Sequence, residues 1–195
     1  MEWVVSVLLG FGLSAATGFR IFVPFFVAGI AGYNHWLTLP EGIAWIGTLS
    51  AIILFGTATL IEILGYYIPW FDHLLDVIAT PASTIAGTLV MSSFVTDVDP
   101  LLKWTLAIIA GGGTATLISG GTAALRIAST TVTGGAGNPL VATGEIGGSA
   151  VISLLAIFIP VITAIVVSIL LIISIRFIVR KIKSRRLAKT SIKNV

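Results

Sequence analysis

The sequence has no cysteine, two histidines and very little charge. The missing cysteines exclude a disulfide scaffold and a thiolate-ligated metal centre. Histidines at only two distant positions, His35 and His73, make an imidazole metal site unexpected as well. Charged residues are 10% of the 195 positions, against about 25% in a soluble domain. So low a charge excludes both an ordinary soluble globule and a disordered polyelectrolyte. What is present instead is apolar: 56% of residues are hydrophobic and the mean hydropathy is +1.09. The chain reads as an integral membrane protein, all-α, a polytopic transmembrane helix bundle.

The charge is also unevenly placed. Eight of the eleven basic residues fall in the last twenty positions, from Arg176 through Arg180, Lys181, Lys183, Arg185, Arg186 and Lys189 to Lys193. Before them stand only Arg20, Lys103 and Arg126. The net charge of +3 therefore describes a tail. Basic residues just after an apolar run mark the cytoplasmic side, and they meet anionic lipid headgroups at roughly 1 kcal/mol each near the surface. Nothing folded accompanies them, so nucleic acid is not an expected partner. The domain division is residues 1–180 in the membrane and 181–195 as a basic cytoplasmic tail. Met1-Glu2-Trp3 lacks the basic start of a secretory signal, so the first helix is expected to be retained.

About 20 apolar residues cross the hydrocarbon core as a helix. Val151 to Ile175 carries no charge, with Pro160 as a kink site; Gly42 to Ile61 is a second span, ending at Glu62. Trp3 to Ala31 would be about 43 Å long as one helix, so a break is expected at Arg20, which Gly18 and Pro24 bracket. Asp72 to Phe94 and Leu101 to Arg126 are further spans. The count is five, or six if the first run is two half-helices. Tyr33, Trp36, Tyr66, Tyr67, Trp70 and Trp104 sit at the junctions, as interfacial aromatics do.

Residues 110–149 are rich in glycine, serine and threonine. The clusters at Gly111-Gly112-Gly113 and Gly120-Gly121 suit close helix packing. Ser129 to Ser149 is expected to be an external loop or a re-entrant segment. Gly111-Gly112-Gly113-Thr114 is no phosphate loop, because no Gly-Lys-Ser/Thr follows. Gly12-Leu13-Ser14-Ala15-Ala16, then Phe19-Arg20-Ile21 after two residues, parallels Gly120-Gly121-Thr122-Ala123-Ala124-Leu125-Arg126-Ile127, with five of eight positions identical. Shared composition accounts for such a match as readily as ancestry does. Read as ancestry, it is an inverted repeat, the recurring plan of secondary transporters built on interrupted helices.

A charge at the centre of a membrane helix costs about 2.5–3.5 kcal/mol on insertion scales, so buried charges take partners or line cavities. The candidates for an ion or substrate pathway are Arg20, Glu62, Asp72, Asp76 and Arg126. Candidates for gating or packing are His73, Pro24, Gly112, Gly120 and Glu145. Asp72 and Asp76 are four apart and share a helix face. The alternative for Glu62, Asp72 and Asp76 is that they fall at span ends and reach headgroup water. Arg20 lies deep in an apolar run and is expected to pair with one of those three acids. A hydrolase would need His73 as base with an identifiable nucleophile, and no Gly-x-Ser-x-Gly is present. No enzyme, cofactor or metal is expected.

Gly18-Phe19-Arg20-Ile21-Phe22-Val23-Pro24 and the segment from Glu62 through Pro69-Trp70-Phe71-Asp72-His73-Leu74-Leu75-Asp76, then Thr80-Pro81 and Ala86-Gly87, together resemble a bacterial membrane family catalogued as domain of unknown function 4126. The resemblance spans roughly residues 8 to 160. It implies a small multi-spanning protein of a bacterial inner membrane and no established activity. Family members often carry Asp-Lys where Gly65-Tyr66 stand here, and an Arg near Ala82-Ser83, so no charge relay is carried over to the central motif. The expected function is a small transporter or channel for an ion or small polar solute. The alternatives are a non-transporting membrane scaffold or assembly factor, or a lipid-handling membrane protein. So short a chain is expected to form a homo-oligomer.

Overall fold

The computed structural model describes the backbone of residues 2–193 and the side chains of residues 3–68 and 74–176. Asp72, His73 and the tail's basic side chains from Arg180 onward therefore lie outside the described residues. Every described element is helical: α1 (Glu2–Thr17), α2 (Phe22–Tyr33), a 3-10 turn (Glu41–Gly47), α3 (Leu49–Gly65), α4 (Pro69–Phe94), α5 (Pro100–Leu106), a π segment (Ala107–Gly112), α6 (Gly113–Thr133), α7 (Asn138–Phe158) and α8 (Pro160–Lys193).

The element boundaries follow local chemistry. The first apolar run breaks between Thr17 and Phe22, where the last α1 carbonyls, of Ala15 and Ala16, accept from Gly18, Phe19 and Arg20 N–H. Pro24 sits in the first turn of α2, where a missing N–H costs no helical bond. Thr48 caps α3 by accepting from Ala51 N–H at 3.3 Å, and Asp99 caps α5 by accepting from Leu101 N–H at 2.9 Å. Pro69, Pro100 and Pro160 each open a helix.

Among the described residues, three helices are long and apolar enough to cross a membrane: Leu74–Phe94, Pro100–Thr133 and Asn138–Phe158. They mark the chain as membrane-embedded. The 3-10 turn and α3 would make a fourth span, bent by 73° at Thr48. Trp3–Thr17, Phe22–Tyr33 and Pro160–Arg176 are shorter apolar helices.

By length and composition this supports three spans, or four with the bent pair, where the sequence suggested five or six; the breaks do more than kink. Pro160 ends the run from Val151 to Ile175: its ring would clash with the carbonyl four residues back, so α7 stops at Phe158 and α8 starts afresh. Gly42–Ile61 is likewise divided, and Glu62 lies in the last turn of α3.

Ser129–Ser149 is helical rather than a loop. It is the end of α6, a turn with left-handed Gly134 (φ 64°), and the first half of α7. Its hydroxyls satisfy themselves within the helices. Thr131 donates to Ile127 O, Thr133 to Ser129 O and Thr143 to Pro139 O, each at 2.7–2.8 Å. A polar, glycine-rich sequence thereby stays helical.

α1 is the central element and touches α2, α4, α6, α7 and α8. Leu13, Ser14, Ala15, Ala16 and Thr17 are at most 1% exposed. Ser14 Oγ donates to Gly87 O on α4 at 2.8 Å, and Ser149 Oγ on α7 donates to Ala16 O at 3.0 Å. Small residues permit the closest approach, between α4 and the π segment: a Cβ on Gly111 would stand 2.5 Å from Gly87 O. Large apolar side chains such as Leu60, Ile61, Leu64, Ile127 and Ile162 point outward. Such outward apolar faces suit lipid contact.

Candidate functional site

The break after α1 leaves Arg20 outside helical geometry and its guanidinium inside the bundle, 1% exposed. Arg20 Nη2 lies 2.9 Å from Glu145 Oε2 on α7 and donates to Ala142 O at 3.4 Å. Arg126, in the second half of α6, reaches the same carboxylate. Its Nε donates to Glu145 Oε1 at 3.1 Å, and its Nη2 is hydrogen-bonded to Glu145 Oε2. Glu145 thus holds one guanidinium in the two-pronged geometry of strong arginine–carboxylate pairs and shares an oxygen with a second. Both arginines and Glu145 are at most 4% exposed.

Tyr66, in the turn after α3 and 6% exposed, completes the centre. The guanidinium carbons of Arg20 and Arg126 lie over its ring, 3.7 and 4.0 Å from the centroid. Away from water, each such contact is worth about 2 kcal/mol. Asp76 on α4, whose side chain is 26% exposed, stands 3.6 Å from Arg126 Nη1.

Glu62 has a different task. Its two oxygens accept from Ile21 N–H at 3.0 Å and Phe22 N–H at 3.2 Å. A carboxylate from α3 therefore caps α2, whose own N-cap, Ile21, supplies no side-chain bond. This explains a correction to the expectation for Arg20. Its ion-pair partner is Glu145, because the Glu62 carboxylate is turned to the backbone and Asp76 lies beside Arg126.

A small polar void of about 10 Å³ adjoins this centre. That is close to the space one water needs. Glu62, Tyr66, Asp76, Arg126 and Glu145 line it, together with the hydroxyl residues Ser83, Ser119 and Thr122. A second cavity of about 210 Å³ is almost wholly apolar and lies among Leu13, Phe25, Ala28, Trp45 and Phe94. It is the larger, but it contains none of the charged groups. Among the described residues, no three Asp, Glu or His side chains converge as metal ligands.

Of the residues singled out by sequence, Arg20, Arg126, Glu62, Asp76 and Glu145 come together; the side chains of Asp72 and His73 lie outside the described residues. Pro24 is buried at the start of α2. Gly112 packs under Thr88, whereas a Cβ on Gly120 would meet nothing within 4 Å, so only the first glycine cluster serves close packing. Tyr66 and the three hydroxyl residues were not legible in advance. Nothing local distinguishes Tyr66 from the interfacial aromatics around it.

Residues 7–180 match the family described as Domain of unknown function (DUF4126), and the chain belongs to that family. No curated protein and no solved structure matches it.

Proposed function

We propose that this family member is a small transporter or channel for an ion or small polar solute, with its pathway passing the Arg20–Arg126–Glu145 centre. The observation that carries the reading is the polar void beside buried charges of both signs, where the chain breaks between α1 and α2. Interrupted helices that bring charged groups together inside an apolar bundle are the recurring form of a transport site. Space for a single water corresponds to a closed state of such a pathway. The similarity between the two arginine segments supports reading them as halves of an inverted repeat, and the basic tail supports a cytoplasmic C-terminus.

A second reading, a non-transporting scaffold, draws on the density of pairing around Glu145. One experiment separates the two. Purified protein in proteoliposomes is given H⁺, K⁺, Na⁺, Cl⁻ or formate gradients, and wild type is compared with Glu62→Gln and Arg20→Ala. Flux that these variants lose while still folded is the expected result. No flux from well-folded wild type under any gradient overturns the transport reading in favour of the scaffold.

A further inference from the structure

We propose that the two guanidinium groups over Tyr66 form a binding site for a small planar anion of the carboxylate class, and that Glu145 is its tethered occupant. The inference rests on the transport reading for its physiological meaning, and it names that pathway's substrate class.

Three observations carry it. First, two arginines converge on one carboxylate oxygen, in a site at most 4% exposed. The other acids do not crowd that oxygen: Glu62 is held by two backbone N–H groups, and Asp76 lies beside Arg126 Nη1. Second, Arg20 is not satisfied by this arrangement. Its Nε and Nη1 are buried with no hydrogen-bond acceptor, although its side chain is 1% exposed. A guanidinium carries five N–H donors in a fixed plane, and unused donors in a buried site await an acceptor. Third, the site is shaped for a planar, two-oxygen guest. Both guanidinium carbons lie within 4.0 Å of the Tyr66 ring centre, which holds the two groups beside each other, and a guanidinium's parallel N–H donors match a carboxylate.

Glu145 also has somewhere to go. It lines the polar void beside the two arginines. An external carboxylate entering the site would take over the bonds that Glu145 now makes, and Glu145 would move aside. A tetrahedral dianion such as sulfate is bulkier than the carboxylate it would replace, and so fits less well.

The test measures binding apart from flux. Glu145→Ala and Glu145→Gln are purified in detergent, and their melting temperatures are followed with increasing formate or nitrate, using sulfate at equal ionic strength as the control. The expected result is a saturable rise with formate and nitrate that exceeds the sulfate response, is weaker in wild type because Glu145 competes for the site, and is lost when Arg20→Gln is added. If Glu145→Ala unfolds without anion, recovery of monodisperse protein only when formate is present during extraction supports the proposal equally. The proposal is overturned if formate and sulfate act alike on both variants, if formate recovers neither, or if Arg20→Gln leaves the response intact. Formate binding without formate flux in proteoliposomes would keep the site and remove the transport reading. Flux without binding would do the reverse.

Discussion

Glu145 is the single carboxylate that both central arginines share, and this makes its removal the most informative perturbation. At the 2.9 Å separation of Arg20 Nη2 and Glu145 Oε2, an effective dielectric of 20 gives about 6 kcal/mol of attraction before desolvation. Most of that is offset by taking the ions out of water, and removing one partner of a buried pair typically costs about 3–5 kcal/mol. Glu145→Gln keeps the size and one acceptor but leaves two guanidinium groups without their counter-charge. For a chain of this length, that loss corresponds to a fall of about 6–20 °C in melting temperature. Arg126→Gln should cost less than half as much, because Arg20 continues to hold Glu145. In the double variant, the combined loss should fall short of the sum by at least about 1 kcal/mol, since the two side chains share one bond network. The assay is thermal unfolding of the detergent-solubilised protein, followed by tryptophan fluorescence. A Glu145→Gln protein within about 2 °C of wild type, the range of an unimportant surface change, would refute the reasoning. So would a larger loss for Arg126→Gln, or strict additivity.

The remaining predictions use the same reference protein. Arg20→Ala should lower stability by about 1–3 kcal/mol, since Arg126 continues to hold Glu145, while Lys103→Ala, at the half-buried start of α5, should stay within about 0.5 kcal/mol; equal melting temperatures would count against a buried, partnered Arg20. Gly111→Val should destabilise by about 1–3 kcal/mol through its collision with Gly87, whereas Gly120→Ala, in open space on α6, should gain up to about 1 kcal/mol; thermal unfolding of both variants checks the contrast. Because the chain has no cysteine, single-cysteine variants report cleanly on exposure to water. Leu60→Cys and Ile61→Cys on the outer face of α3 should resist a membrane-impermeant maleimide in liposomes and react once detergent is added. Fast labelling in intact liposomes would exclude lipid contact for that face.

Much of the architecture was written in local chemistry. The break at Arg20 follows from an apolar run too long to cross straight, with Gly18 before it and Pro24 after. The helix starts at Pro69 and Pro100 follow from prolines that lack an N–H to donate. Where the local reading went wrong, it underestimated helix. The Ser129–Ser149 stretch looked too polar for one, but threonine hydroxyls bonding back to the preceding turn remove that objection. The centre itself was half legible. The cost of burying charge singled out Arg20 and Arg126, but not which acid meets them. Arg20 and Glu145 are 125 positions apart, and such a pairing depends on how α1, α6 and α7 stack rather than on any local pattern. Tyr66 was missed for the same reason, since its role exists only once two arginines arrive over its ring.

The π segment between α5 and α6 has a mechanical consequence. A π turn holds one residue more than the α-helix around it. Drawing that residue back into α geometry would rotate α5 by about 100° relative to α6 and shift it by about 1.5 Å along the axis. What opposes this is α4, gripping the segment where Gly111 meets Gly87. The long rod from Pro100 to Thr133 thus carries one residue more than a straight helix would, and the contact with α4 sits where that extra residue is stored.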